Sequence, residues 1–134
     1  MSRNARTQGV HHVGLTVPDL GATRRFFTQA LEFEPAGEVP DYPAVFVTDG
    51  SVMITLWQAE NPVSAVPFDR RTNIGLHHLA LRVESSDVLA RLHDEISARK
   101  DVIVEFEPES LGGSDIQHMM IRIPGNIRLE LIVA

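Results

Sequence analysis

Apolar and polar residues alternate through residues 9–17 and again through 75–83, which is the period of a half-buried strand. In the first segment His11, Val13, Leu15 and Val17 share one face, and Val10, His12, Gly14 and Thr16 the other. In the second, His77, Leu79, Leu81 and Val83 oppose Leu76, His78, Ala80 and Arg82. A helical period follows each strand. Phe26, Phe27, Ala30 and Leu31 form an apolar stripe behind Asp19, a residue suited to cap a first turn. Val88, Leu89, Leu92 and Ile96 form another behind Ser85 and Ser86. The more apolar strand faces are expected against these helices, which places His11 and His77 on the packed side as structural residues.

Further strands are predicted over residues 34–39, 44–48 and 51–58, with Asp49-Gly50 as a hairpin turn, and over 102–106, 116–123 and 127–133. Val45, Val47, Val52, Ile54 and Leu56 form one core stripe. Met119, Ile121 and Ile123 form another, opposite Ile127, Leu129, Leu131 and Val133. Matching these last two stripes sets Ile121 opposite Leu129 and Met120 opposite Glu130. It also requires a three-residue turn at Pro124, Gly125 and Asn126, with Asn126 left-handed.

The two halves repeat. Gly9-Val10-His11-His12-Val13-Gly14-Leu15-Thr16-Val17 recurs 66 residues later (His12 to His78) as Gly75-Leu76-His77-His78-Leu79-Ala80-Leu81-Arg82-Val83. The fold class is therefore α+β: two βαβββ modules forming an open, curved, mixed sheet with helices on its outer face. Residues 1–134 read as one domain, with module one over 9–58, a polar linker over 59–73 and module two over 74–134.

Composition narrows the function. A net charge of −6 and the lack of any basic run argue against nucleic acid or an anionic membrane as partner. No apolar stretch is long enough to span a bilayer. Residues 1–8 are polar, so a frayed tail is expected there rather than a signal peptide. Cysteine is absent, which removes disulfides, thiol nucleophiles and thiolate metal sites. A cytoplasmic location is expected.

Strand parity puts His12, His78 and Glu130 on the face away from the helices, together with Phe46, Met53, Thr55, Trp57, His118, Met120 and Arg122. Two imidazoles and a carboxylate can hold a divalent metal (Fe, Mn, Ni, Co or Zn) while leaving coordination positions free. Phe46, Met53, Thr55, Trp57, Met120 and Arg122 would line a substrate pocket or fill space between sheets. His118 would be a proton-transfer group or a bystander. The loop over residues 109–114 is a lid candidate or simply a loop. His93 and Glu95 are expected in solvent.

These motifs resemble the vicinal oxygen chelate superfamily, which includes glyoxalase I, fosfomycin-resistance proteins, extradiol dioxygenases and bleomycin-resistance proteins. The resemblance lies in His12-Val-Gly-Leu-Thr-Val17-Pro-Asp-Leu20 with Phe26-Phe27, in His78-Leu-Ala-Leu-Arg-Val83, and in Pro124-Gly125-Asn126-Ile127-Arg128-Leu129-Glu130-Leu131. It implies metal ligation by His12, His78 and Glu130 and a small substrate that chelates the cation through adjacent oxygens. It further implies a homodimer, in which a cavity can draw ligands from both subunits. The reactions it implies are those of a lyase, an isomerase or a ring-cleaving dioxygenase. A drug-sequestering protein of the bleomycin-resistance type, without catalysis, is the alternative. Thr55 stands where glyoxalase I has a fourth ligand, a second Glu. Met120 stands where extradiol enzymes have Tyr.

Overall fold

The structure is a computed structural model and describes residues 4–134. Of the tail expected over residues 1–8, the first three lie outside the described residues and Asn4 to Gln8 are exposed. Module one contains β1 (His12–Val17), α1 (Leu20–Arg25) continuing into a π-helical turn (Phe26–Ala30), β2 (Glu34–Val39), β3 (Ala44–Thr48) and β4 (Met53–Gln58). Module two contains β5 (Leu79–Val83), α2 (Ser86–Ser97), β6 (Ile103–Ser110), β7 (Gln117–Ile123) and β8 (Ile127–Val133). Each module is a βαβββ unit with its own four-stranded mixed sheet, ordered β1-β4-β3-β2 and β5-β8-β7-β6. In both, the first and last strands pair in parallel and the other pairs are antiparallel.

Local chemistry starts the helices as the sequence predicts. Asp19 accepts a hydrogen bond from the Ala22 N–H at 3.0 Å, and Ser85 accepts one from the Val88 N–H at 3.2 Å. Phe26 and Phe27 are adjacent yet both fully buried, and the wider π turn coincides with that double burial. The helix closes where the Phe33 N–H returns to the Phe27 carbonyl at 3.0 Å, with Glu32 left-handed (φ 56°). Gln58 then ties the end of β4 to the start of α1: its Oε1 accepts from the Leu20 N–H and its Nε2 donates to the Pro18 carbonyl.

The two modules share one core. Leu15, Val17, Ile54 and Leu56 from the first sheet join Leu81, Val83, Leu129 and Leu131 from the second, together with Phe26, Phe27, Leu89 and Ile96 from the helices. Burying one such side chain contributes about 1.5–3 kcal/mol. The linker is not free chain. The Phe68 N–H bonds to the Gly125 carbonyl at 3.1 Å, which fastens it to the β7–β8 turn.

The register at that turn is as predicted. Ile121 pairs with Leu129 and Met120 with Glu130, and Asn126 is left-handed (φ 63°). The other hairpin turn is longer than Asp49-Gly50 alone suggests. Thr48 pairs with Met53, which leaves a four-residue loop held by Asp49 Oδ1 accepting from the Ser51 and Val52 N–H groups. His11 and His77 are a correction. Both are exposed rather than packed on the helices, because each sits before its regular strand begins, and each turns its Nδ1 toward the next His at 2.9 Å.

Candidate functional site

Parallel pairing in each sheet puts equivalent residues side by side. Gly14 lies against Thr55 in the first sheet and Ala80 against Glu130 in the second. Across the next ladder Thr55 meets Phe46 and Glu130 meets Met120. Thr55 is therefore the first module's counterpart of Glu130.

The second module gathers ionisable groups around Glu130. Its Oε1 lies 3.1 Å from His78 Nε2 and its Oε2 lies 2.6 Å from His118 Nδ1. With the carboxylate oxygen as acceptor, this hydrogen bond calls for the His118 tautomer that carries its hydrogen on Nδ1. Glu130, His118 and Met120 are buried, while His78 is half-exposed. The Phe106 ring covers His118 at 4.9 Å, and Glu109 approaches its Nε2 at 3.9 Å. Five of the seven residues of β8 are buried, on both of its faces.

The first module's face is aromatic. Trp57 Nε1 donates to Thr55 Oγ1 at 2.8 Å, and the Trp57 ring meets Tyr42 at 4.6 Å and Phe46 at 5.9 Å. Gly14 makes room for this: a Cβ there would stand 3.1 Å from Thr55 Oγ1. Met53 is half-buried beside His12 in the β1–β4 ladder.

The donor chemistry suits a divalent cation, but one chain brings only part of the set together. His78 and Glu130 meet in the second sheet, whereas His12 stands on the edge strand of the first with His11 as its side-chain partner. Among the described residues, no group of three or more His, Asp or Glu is arranged to hold a metal ion.

A charged knot beside this site was not foreseen from the sequence. Glu105 accepts from Arg128 Nε at 3.1 Å and Nη2 at 2.7 Å, and from Arg70 Nη1 at 3.1 Å, with Arg122 Nε at 3.9 Å. The hydrogen bonds from Arg128 hold its carboxyl below the usual carboxylate range against the opposing effect of burial, and the charges of Arg128, Arg70 and Arg122 add to this. The available signal was a Glu between two apolar residues, Val104 and Phe106. Strand parity does not extend across it, because β6 shifts register between Val104 and Phe106. Arg128 also reaches His77, with Nη1 3.3 Å from its Nδ1. His77 is pushed below its ordinary value, first by loss of solvent around the ring, although the residue as a whole is exposed, and then by the Arg128 charge. His93 is half-buried and Glu95 exposed, both on α2 and apart from these groups.

No helix among the described residues is long and apolar enough to cross a membrane. Residues 9–131 match the model of the Glyoxalase/Bleomycin resistance protein/Dioxygenase superfamily. No curated protein matches the chain significantly. Among solved structures, a glyoxylase/bleomycin resistance protein/dioxygenase domain from Frankia sp. EAN1pec is similar at 26% identity and TM-score 0.81, over 96% of this chain and 98% of that one. The lactoylglutathione lyase from Agrobacterium tumefaciens has 18% identity and TM-score 0.71, over 97% and 96% of the two chains. The fosfomycin resistance protein FosX from Listeria monocytogenes has 18% identity and TM-score 0.74, over 96% and 94%. These last two likenesses are of fold alone.

Proposed function

Since the chain belongs to the glyoxalase/bleomycin resistance protein/dioxygenase superfamily, we propose that it is a divalent-metal-dependent enzyme acting on a small substrate that chelates the cation through adjacent oxygens. The observation that carries this reading is the meeting of His78 Nε2 and Glu130 Oε1 at 3.1 Å, with the second carboxylate oxygen held by His118. His78 and Glu130 would hold the cation from one chain. His12, which the fold keeps in the other sheet, would come from a second copy in a homodimer. A bound cation would supply Lewis-acid polarisation of the substrate oxygens or, if it is iron, a shared site for substrate and O₂.

The remaining roles belong to the chain itself. His118 would fix the Glu130 carboxylate and move a proton through its Nε2. Phe46 and Trp57, whose rings meet, would form part of an apolar wall that excludes water. Thr55, where a second carboxylate would stand, offers only a hydroxyl already bonded to Trp57. This favours lyase or dioxygenase chemistry over a two-carboxylate isomerase. A sequestering role fits less well, since it has no use for a buried carboxylate set between two imidazoles. A cytoplasmic location belongs to the same proposal.

The test is metal analysis of protein purified without chelator, alongside His12→Ala, His78→Ala and Glu130→Ala. About one equivalent per site is expected, with binding lost in each variant. Mixing the His12→Ala and His78→Ala chains should restore part of it, because one site of a hybrid dimer would then be intact. Metal below about one-tenth equivalent, with no stabilisation of the parent protein by excess metal, overturns the reading.

A further inference from the structure

The Glu105 knot opens into a cleft of ≈ 410 Å³ beside the site, lined by Arg70, Arg71, Arg122 and Arg128 with Asp69 and Glu105. We propose that this cleft binds the dianionic oxyanion group of a small molecule, such as a phosphate monoester, through Arg71 and Arg122, while Arg128 stays committed to Glu105. This goes beyond the metal-dependent reading and does not require a bound cation.

The charge ledger singles out these residues. Both oxygens of Glu105 are already engaged, Oε1 by Arg128 and Oε2 by Arg128 and Arg70. Asp69 Oδ1 accepts from the Arg71 backbone N–H. The Arg71 guanidinium has no hydrogen bond or ion pair of its own among the described residues. Arg122 Nε is buried and has no hydrogen-bond partner, since the Glu105 oxygen at 3.9 Å is out of range. Four guanidiniums against two carboxylates leave two positive charges in one cleft, on a chain whose net charge is −6.

A buried N–H without an acceptor is costly, and an oxyanion is the group that would satisfy it. Guanidinium recognises such groups through paired N–H donors, and the two surplus charges match a dianion better than a carboxylate. The location gives the cleft a use. Arg128 shares a strand with Glu130, one residue intervening, and its Nη1 lies 3.3 Å from His77, next to His78. A ligand anchored here by its oxyanion would present its other end to His78 and Glu130.

The probe is inorganic phosphate, titrated into the chelator-treated chain at constant ionic strength and followed through the arginine Nε–Hε signals. Saturable binding on the order of 1 mM is expected, with the Arg122 signal shifting and acetate binding at least about tenfold more weakly. Arg122→Gln and Arg71→Gln should each weaken phosphate binding by about tenfold. Arg71 has no side-chain partner, so that variant should fold normally and keeps the test open if Arg122→Gln does not fold. Absence of saturation up to about 50 mM beyond a chloride control overturns the proposal, as does equal affinity in the parent and the folded variants. Metal loading is measured on separate samples. Failure of phosphate binding therefore leaves the metal reading standing, and failure of metal binding leaves this one standing.

Discussion

The two modules share a backbone and differ in what they present. Strand order, parallel closure and helix placement are the same. At equivalent points the first has Gly14 against Thr55, and the second has Ala80 against Glu130. Where the first pairs Thr48 with Met53, the second pairs Arg122 with Arg128. One face is aromatic and carries a single candidate ligand, His12. The other is crowded with carboxylate, imidazole and guanidinium. The helix-facing stripes stay alike because both feed one core, while the opposite faces are free to diverge.

The largest expected effect tests the shared half. Leu56, beside Leu15, and Leu131, beside Leu81, are equivalent and fully buried. Each →Ala change should cost about 2–5 kcal/mol in urea unfolding, and the two values should agree within about 1 kcal/mol. A wide gap would show that the modules are not packed alike.

Next is Glu105, whose counterpart in the matching bulge of module one is the uncharged Ala36. Glu105→Gln should lower stability by about 2 kcal/mol at neutral pH, through loss of charge-assisted hydrogen bonds. The folded-state pKa is depressed. Its contribution is therefore present above the unfolded carboxylate value and disappears as pH falls through the lower folded value. Unfolding curves of variant and parent should converge in acid, and a pH-independent gap would contradict the ion-pair account.

Gly14→Ala should cost about 1–2 kcal/mol, because the new Cβ would press on Thr55 Oγ1 and Trp57 Nε1. Ala80→Gly at the equivalent place should cost only about 0.5–1 kcal/mol, through backbone entropy. Thr55→Val, which removes the acceptor from the Trp57 indole, is expected to cost about 1 kcal/mol and to change Trp57 fluorescence.

Much of this was legible in the sequence, for local reasons. Period-2 alternation fixed the faces of β1 and β8, single polar residues marked both helix starts, and matched stripes gave the pairing of Ile121 with Leu129. The bulge at Glu105 breaks the alternation that would have placed its side chain. Arg70 lies in a linker with no period, so nothing local tied it to β6. The alternation locates a side chain within its own four-stranded sheet, not how the two sheets meet. His11 and His77 lie before the regular strands, where parity no longer holds, so its assignment of both to the packed side failed.

The three-residue turn at Pro124, Gly125 and Asn126 carries a consequence for how such a chain can change. Hairpin tips usually absorb an added residue with little harm. Here the tip sets the phase of the last strand. One inserted residue that kept the pairing would rotate β8 by half a period, sending Glu130 and Arg128 into the helix-packed core and Leu129 and Leu131 out of it. The same tip bears on Pro18 of the first module, 3.0 Å from where a Gly125 Cβ would stand, and holds the linker through Phe68. Substitutions can therefore rewrite the chemistry of this face, but a change in the length of that turn would lose it.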